Sequence, residues 1–344
     1  MKSNIIIAVL ILSTVLFIAC AKNQVEKPYN AAQLVAFDYS ITNAPAMVKS
    51  NFGEINTKAA QVGRALFYDK MLSINNNISC GSCHIQSMGF SDNFAVSPGF
   101  NNQKTLFNSM PLVNLGAQNH FFWDGRSTNI SKQVMMPIAN HIEMGLENTN
   151  LLMAKLSAST MYVNLFSNAF ADGKISSNNV AFALSNFVNS IVSYNTKYDK
   201  YLRNEALFSE IEMKGLELFT KKYNCQSCHG GENFNSQWGG ITFANIGLSD
   251  KVDLSLASEG FYKTPNLRNV ALTAPYMHDG SLRTLENVID HYNFGVKGNE
   301  ILDWRLEKGG LKIITSHEKK ALIAFLNTLT DSEMRDNPKW SNPF

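Results

Sequence analysis

Apolar side chains recur along this chain at spacings of three and four, the period that gathers them on one face of an α-helix. Ala59, Val62 and Leu66 mark such a face over Thr57 to Asp69. The same period predicts helices over Ser127 to Pro137, Leu151 to Phe170 and Ser177 to Tyr194, the last with Val180, Leu184, Phe187 and Ile191 in line. Between Tyr198 and Ala206 the apolar pattern breaks, and it returns over Ser209 to Phe219 and Thr284 to Tyr292. The last helix opens on Thr315-x-x-Glu318, a capping box, and carries Leu322, Phe325, Leu326 and Leu329 on one face. Strict alternation is sustained nowhere, so the expected class is all-α, with long loops and little strand.

The break near Tyr198 divides the chain into two domains, 53–205 and 206–331, each led by a helix into a cysteine pair. Gly89 to Asn119, and the stretch through Gly239, Gly240 and Pro265, are rich in turn residues and read as loops. Residues 21–52 read as a tether and extended lead-in, and 332–344 as a polar tail. At the start, Lys2 precedes an apolar run from Ile5 to Ile18, which is short for a membrane span and reads as an export signal over 1–20. Phe17-Ile18-Ala19-Cys20 resembles the bacterial lipoprotein box, in which the cysteine takes lipid, with Phe where Leu is usual. The alternative is an ordinary signal peptide with a stray cysteine. Either way the expectation is an exported, periplasmic protein, and with a lipid at Cys20 an outer-membrane anchor, since Ala21-Lys22 lacks the Asp associated with inner-membrane retention.

Lys and Arg number 30 against 28 Asp and Glu, a formal charge of +2 that gives no reason to expect nucleic acid as a partner. The five cysteines are more telling. Besides Cys20 they form two C-x-x-C-H runs, Cys80-Gly81-Ser82-Cys83-His84 and Cys225-Gln226-Ser227-Cys228-His229. Such a run attaches haem: the thiols form thioethers with its vinyl groups, and the adjacent imidazole ligates the iron. Four thiolates on one zinc ion are the rival, but zinc leaves the histidine after each pair unexplained. Two covalent haems, ligated by His84 and His229, are therefore expected. A haem open on its second face can activate an oxidant, whereas one ligated on both faces carries electrons.

Four further segments resemble the bacterial di-haem cytochrome c peroxidase and MauG family. They are Phe121-Phe122-Trp123-Asp124-Gly125-Arg126, Glu143-Met144, Thr264-Pro265-Asn266-Leu267-Arg268-Asn269-Val270 and Ala274-Pro275-Tyr276-Met277-His278-Asp279-Gly280. The resemblance runs from about Thr57 to Leu329. It implies an N-terminal haem where peroxide reacts, a C-terminal haem that receives electrons, and a tryptophan between them, here Trp123. It places the distal carboxylate at Glu143, which can take a proton from one peroxide oxygen and return it to the other. It also implies a calcium ion held by the Asn108 side chain and by carbonyls of Thr273 and Pro275, which are oxygen donors suited to that ion. Homodimers are common in the family. Arg268 is expected to pair with a haem propionate, or else to form a surface ion pair.

Two departures from the typical pattern bear on function. Typical members carry a histidine in the loop after the first haem, which caps the iron until the other haem is reduced; here the loop reads Pro98-Gly99-Phe100-Asn101-Asn102, so the first haem is expected to be open without activation. Typical peroxidases also place a methionine fourteen residues beyond the His-Asp-Gly histidine, where MauG-type proteins have a tyrosine, and the count from His278 reaches Tyr292. Met277 and His291 are the alternative ligands. The leading expectation is reduction of hydrogen peroxide with electrons from a small cytochrome c or cupredoxin. MauG-like oxidation of a partner protein and simple di-haem electron carriage are the rivals.

Overall fold

The computed structural model describes residues 34–45, 49, 53–235, 243–251 and 259–344; the export signal, Cys20, most of the tether, and Gly239 and Gly240 lie outside them. Helix α1 (Thr57–Tyr68) starts where the Asn56 side chain accepts the Ala59 N–H, and it buries Ala59, Val62, Leu66 and Phe67. A short turn, α2 (Cys80–Cys83), carries the first cysteine pair. The expected helix over Ser127 to Pro137 is two turns, α3 (Ile130–Gln133) and α4 (Met136–Ala139). The next expected helix breaks at Ala158-Ser159 into α5 (Thr149–Ser157) and α6 (Thr160–Ala169). Helix α7 (Ser177–Asn189) stops before Ile191, whose carbonyl instead receives the Asn114 N–H at 2.9 Å.

Helices α8 (Lys197–Leu202), α9 (Glu210–Glu217), α10 (Leu285–Asp290) and α11 (Ser316–Asn327) follow. The Thr315–Glu318 capping box is formed, and Leu322, Phe325, Leu326 and Leu329 are buried. Helices α9 and α10 each widen into a π-turn, Leu218–Lys222 leading to Cys225 and His291–Gly295 holding Tyr292. The only sheet among the described residues pairs β1 (Phe243–Ala244) with β2 (Tyr262–Lys263), antiparallel, Phe243 opposite Lys263. No described helix is long and apolar enough to cross a membrane. The protein is mainly helical.

Two apolar clusters form on one plan. In the first, α1 crosses α7 at Gly63, where a Cβ would overlap the Ala183 carbonyl oxygen and lie 2.8 Å from Phe187 Cβ. In the second, α9 crosses α11 at Gly215, where a Cβ would overlap the Ala321 carbonyl oxygen and lie 2.7 Å from Phe325 Cβ. Each glycine lets two helix backbones meet closely, and each crossing delivers the chain to a cysteine pair.

The clusters are joined by polar groups. Asn233 Oδ1 accepts from Asn114 Nδ2 and from the Tyr194 hydroxyl, both at 2.9 Å, and Asn269 Nδ2 donates to Ser193 Oγ at 3.0 Å. Helix α8, placed by sequence with the first domain, packs with the second cluster: the Tyr198 ring lies 5.3 Å from Phe234 and 6.0 Å from Phe325. The closing segment is also different from the expected polar tail. It folds back on the first cluster and buries Met334 and Trp340, with Trp340 Nε1 donating to the Ser190 carbonyl at 3.1 Å and its own carbonyl accepting from Tyr68 at 2.6 Å.

Candidate functional site

A cavity of about 500 Å³ opens beside the first cysteine pair, lined by Cys80, Cys83, His84, Trp123, Glu143 and Lys263 among others. His84 Nδ1 is 2.9 Å from the Phe90 carbonyl oxygen. That partner makes Nδ1 the protonated nitrogen and leaves the lone pair on Nε2. Burial holds the imidazole neutral by lowering its pKa. Burial also pushes Cys80 up to about 12 and Cys83 up to about 11. These are neutral thiols beside an apolar cavity.

Glu143 faces the same cavity. Its Oε1 accepts from Asn140 Nδ2 at 3.0 Å, and its pKa is raised by burial, which the Arg126 guanidinium only partly offsets. The backbone carrying it is clamped by the loop after the first pair: the Phe100 N–H donates to the carbonyls of Ile142 and Glu143, at 2.7 and 2.9 Å. Gly99 permits this approach, since a Cβ there would overlap the Ile142 carbonyl oxygen. Arg126 lies 3.7 Å over the Phe122 ring and pairs with Asp124 at 2.8 Å.

Trp123 sits on a loop with a counterpart in the second half. Phe121 bridges to Ser127 and Tyr276 to Leu282; Phe122 and Met277 are left-handed, with φ of 67° and 74°, as are Gly125 and Gly280. Trp123 and His278 therefore occupy equivalent positions. The two loops meet at Asn108, whose carbonyl accepts from Trp123 Nε1 at 2.9 Å and whose N–H donates to the His278 carbonyl at 2.8 Å. His278 stacks on Tyr262, ring centroids 3.6 Å apart.

The second pair is arranged like the first. His229 Nδ1 lies 3.0 Å from the Phe234 carbonyl oxygen, and burial lowers the imidazole to about 4. Burial raises Cys225 to about 12 and also raises Cys228. Burial is the main cause that raises the Tyr292 phenol above its ordinary value. His291 points elsewhere: its Nε2 lies 2.9 Å from the Ile246 carbonyl oxygen. Met277 is partly buried on the loop that holds His278.

Arg268 does not form the surface ion pair that was the alternative expectation. It is fully buried, and its guanidinium forks onto Asp199 at 2.9 and 2.8 Å, while Nε donates to the Glu232 carbonyl at 2.7 Å. The ion pair is internal and joins α8 to the Thr264–Val270 segment. Around the expected calcium position, Asn108 Nδ2 donates to the carbonyls of Phe94 and Ala95, so its Oδ1 is the end available to a cation. Thr273 and Pro275 are buried nearby in sequence, and Thr273 Oγ1 donates to the Val270 carbonyl at 3.2 Å. The four thiols do not converge on one metal: Cys80 packs against the first cluster and Cys225 against the second, and no group of three His, Cys, Asp or Glu is placed to hold an ion among the described residues.

The family model of the di-haem cytochrome c peroxidase, CCP_MauG, matches residues 57–207. The methylamine utilization protein MauG of Methylorubrum extorquens is 33% identical over 279 residues, covering 78% of this chain and 77% of that protein. The chain belongs to the di-haem cytochrome c peroxidase family. The cytochrome c551 peroxidase of Nitrosomonas europaea is 30% identical over 292 residues, covering 81% of each. Among solved structures, a MauG-like protein associated with microbial copper homeostasis superposes with a TM-score of 0.77 at 32% identity, over 90% of this peroxidase and 99% of that chain. The di-haem peroxidase is accordingly an oxidoreductase with two c-type haems. Its residues fit such a group: each pair offers two neutral thiols for thioethers and an imidazole with Nε2 free to ligate iron.

The sequence did not single out Asn140, which holds the Glu143 carboxylate, or Lys263, a buried cation in the cavity wall. Asn140 precedes Glu143 by three residues, an ordinary turn spacing. Lys263 carried one signal, its position directly before the Thr264-Pro265 motif.

Proposed function

We propose that this peroxidase reduces hydrogen peroxide to water at the cavity beside His84, with electrons from a small cytochrome c or a cupredoxin entering near His229. Cys80 and Cys83 would hold the first haem and Cys225 and Cys228 the second, with His84 and His229 as iron ligands. When bound, the first haem would supply the iron at which peroxide accepts electrons. Two electrons and two protons convert one peroxide into two waters. Glu143 takes the proton from one peroxide oxygen and returns it to the other, and its raised pKa suits both halves of that task. Asn140 aims the carboxylate.

Trp123 lies on the route between the two halves, through Asn108 to His278 and through the Lys263 N–H that donates to its carbonyl at 2.7 Å. A calcium ion on Asn108 Oδ1 and the carbonyls of Thr273 and Pro275 would hold these loops together. Tyr292, on the π-turn of the second half, would ligate the iron of the second haem, with Met277 and His291 as the alternatives. Export and a lipid at Cys20 would place the enzyme on the periplasmic face of the outer membrane.

The observation that carries this reading is Glu143 in the cavity beside His84, where the Pro98–Asn102 loop after the first cysteine pair holds no histidine. The test is peroxide-dependent oxidation of a reduced small cytochrome c by the fully ferric protein. Turnover without pre-reduction is expected. Tyr292 also favours a second reading, MauG-like oxidation of a partner protein. A haem spectrum that responds to peroxide while no donor turns over would select it.

A further inference from the structure

We propose that Lys263 is the counter-charge for a propionate carboxylate of the haem attached at Cys80 and Cys83, supplied to that haem by the other half of the chain. The inference rests on the haem reading of the first cavity. Lys263 is 5% exposed and lines that cavity, although β2 belongs to the segment between the second cysteine pair and His278. Its backbone is fixed on both sides, by pairing with Phe243 and by the N–H bond to the Trp123 carbonyl at 2.7 Å.

Its ammonium donates to Gln118 Oε1 at 3.1 Å, a neutral oxygen, and forms no ion pair among the described residues. An ammonium has three N–H groups, and burying it without an anion is costly. Desolvation accordingly pushes Lys263 down to about 8. The charged groups around the cavity do not relieve it: Asp124 is engaged by Arg126, and Glu143 is hydrogen-bonded to Asn140. Of the other buried cations, Arg268 is neutralised within the protein by Asp199, whereas Arg64 donates to the Ser341 carbonyl. Haem c brings two propionates, and a carboxylate on Lys263 removes the unpaired charge from both partners. The same contact fixes the first haem against the Trp123 loop through the backbone of β2.

The experiment uses the holoprotein and the variants Lys263→Met and Lys263→Arg, with haem counted by mass and each haem's reduction potential measured by spectroelectrochemistry. The Met variant is expected to lower the potential of the first haem and leave the second unchanged, because loss of a nearby positive charge favours the ferric state. Its propionate bending band in resonance Raman should shift, and the Arg variant should restore both properties. An unchanged potential and band in the Met variant overturns the proposal, as does an equal shift at both haems or an Arg variant that behaves like Met. Should the Met variant fail to accumulate, the wild-type protein decides: a propionate band insensitive to deuterium exchange overturns the contact. Absence of haem at Cys80 and Cys83 would instead overturn the reading on which the inference rests.

Discussion

Glu143 shows how much one side chain depends on its surroundings. A glutamate after a turn is ordinarily solvated, but here burial raises its pKa and Asn140 orients it. Glu143→Gln keeps the shape and removes the base, so peroxide turnover is expected to fall by about 10²- to 10⁴-fold with both haems still attached. The pH profile carries a second signature. The carboxylate accepts a proton only when ionised, so activity should be lost on the acid side at a pH above the ordinary carboxylate range, and Gln should abolish that limb. Steady-state rates across pH check both outcomes. The family resemblance pointed to Glu143, whereas the burial that raises its pKa and the bond from Asn140 are set by the tertiary structure.

Among elements, the pairing of α8 with the Thr264–Val270 segment depends on one ion pair. Asp199 is pushed upward by burial, but the hydrogen bonds and charge of Arg268, with help from Thr196, outweigh this and hold it below its usual value. The sign follows: the folded pKa is depressed, so the pair contributes fully above the unfolded value of about 3.9 and is lost as pH falls through the lower folded value. Asp199→Asn leaves the Arg268 charge buried without an anion and is expected to cost about 3–5 kcal/mol at neutral pH. Denaturant titration of the holoprotein measures it. The helices themselves were legible because apolar spacing reports a buried face. Their breaks at Ser159 and after Asn189, and the π-turns that place Tyr292, were not, since the apolar pattern continues across them.

At the scale of the whole molecule, the C-terminal segment closes the structure by returning to the first core. Trp340 is 5% exposed and fixed by Ser190 and Tyr68, while Gln86 donates to the carbonyls of Met334 and Asn337. Trp340→Ala is expected to destabilise the first cluster by about 3–5 kcal/mol, read as a lower melting temperature at unchanged haem content. The sequence by itself determined what is local in character: the helical period, the two haem-attachment runs, the absent loop histidine and the repeated plan of the two halves. Each depends on residue type and spacing along a few turns of chain. Only the tertiary structure decided that Arg268 answers Asp199, that Lys263 enters the first cavity from the other half, and that the closing polar segment anchors Met334 and Trp340 in the first core. Those outcomes join residues far apart in the chain, where the partner of a buried charge or ring is set by which surfaces the packed helices bring together.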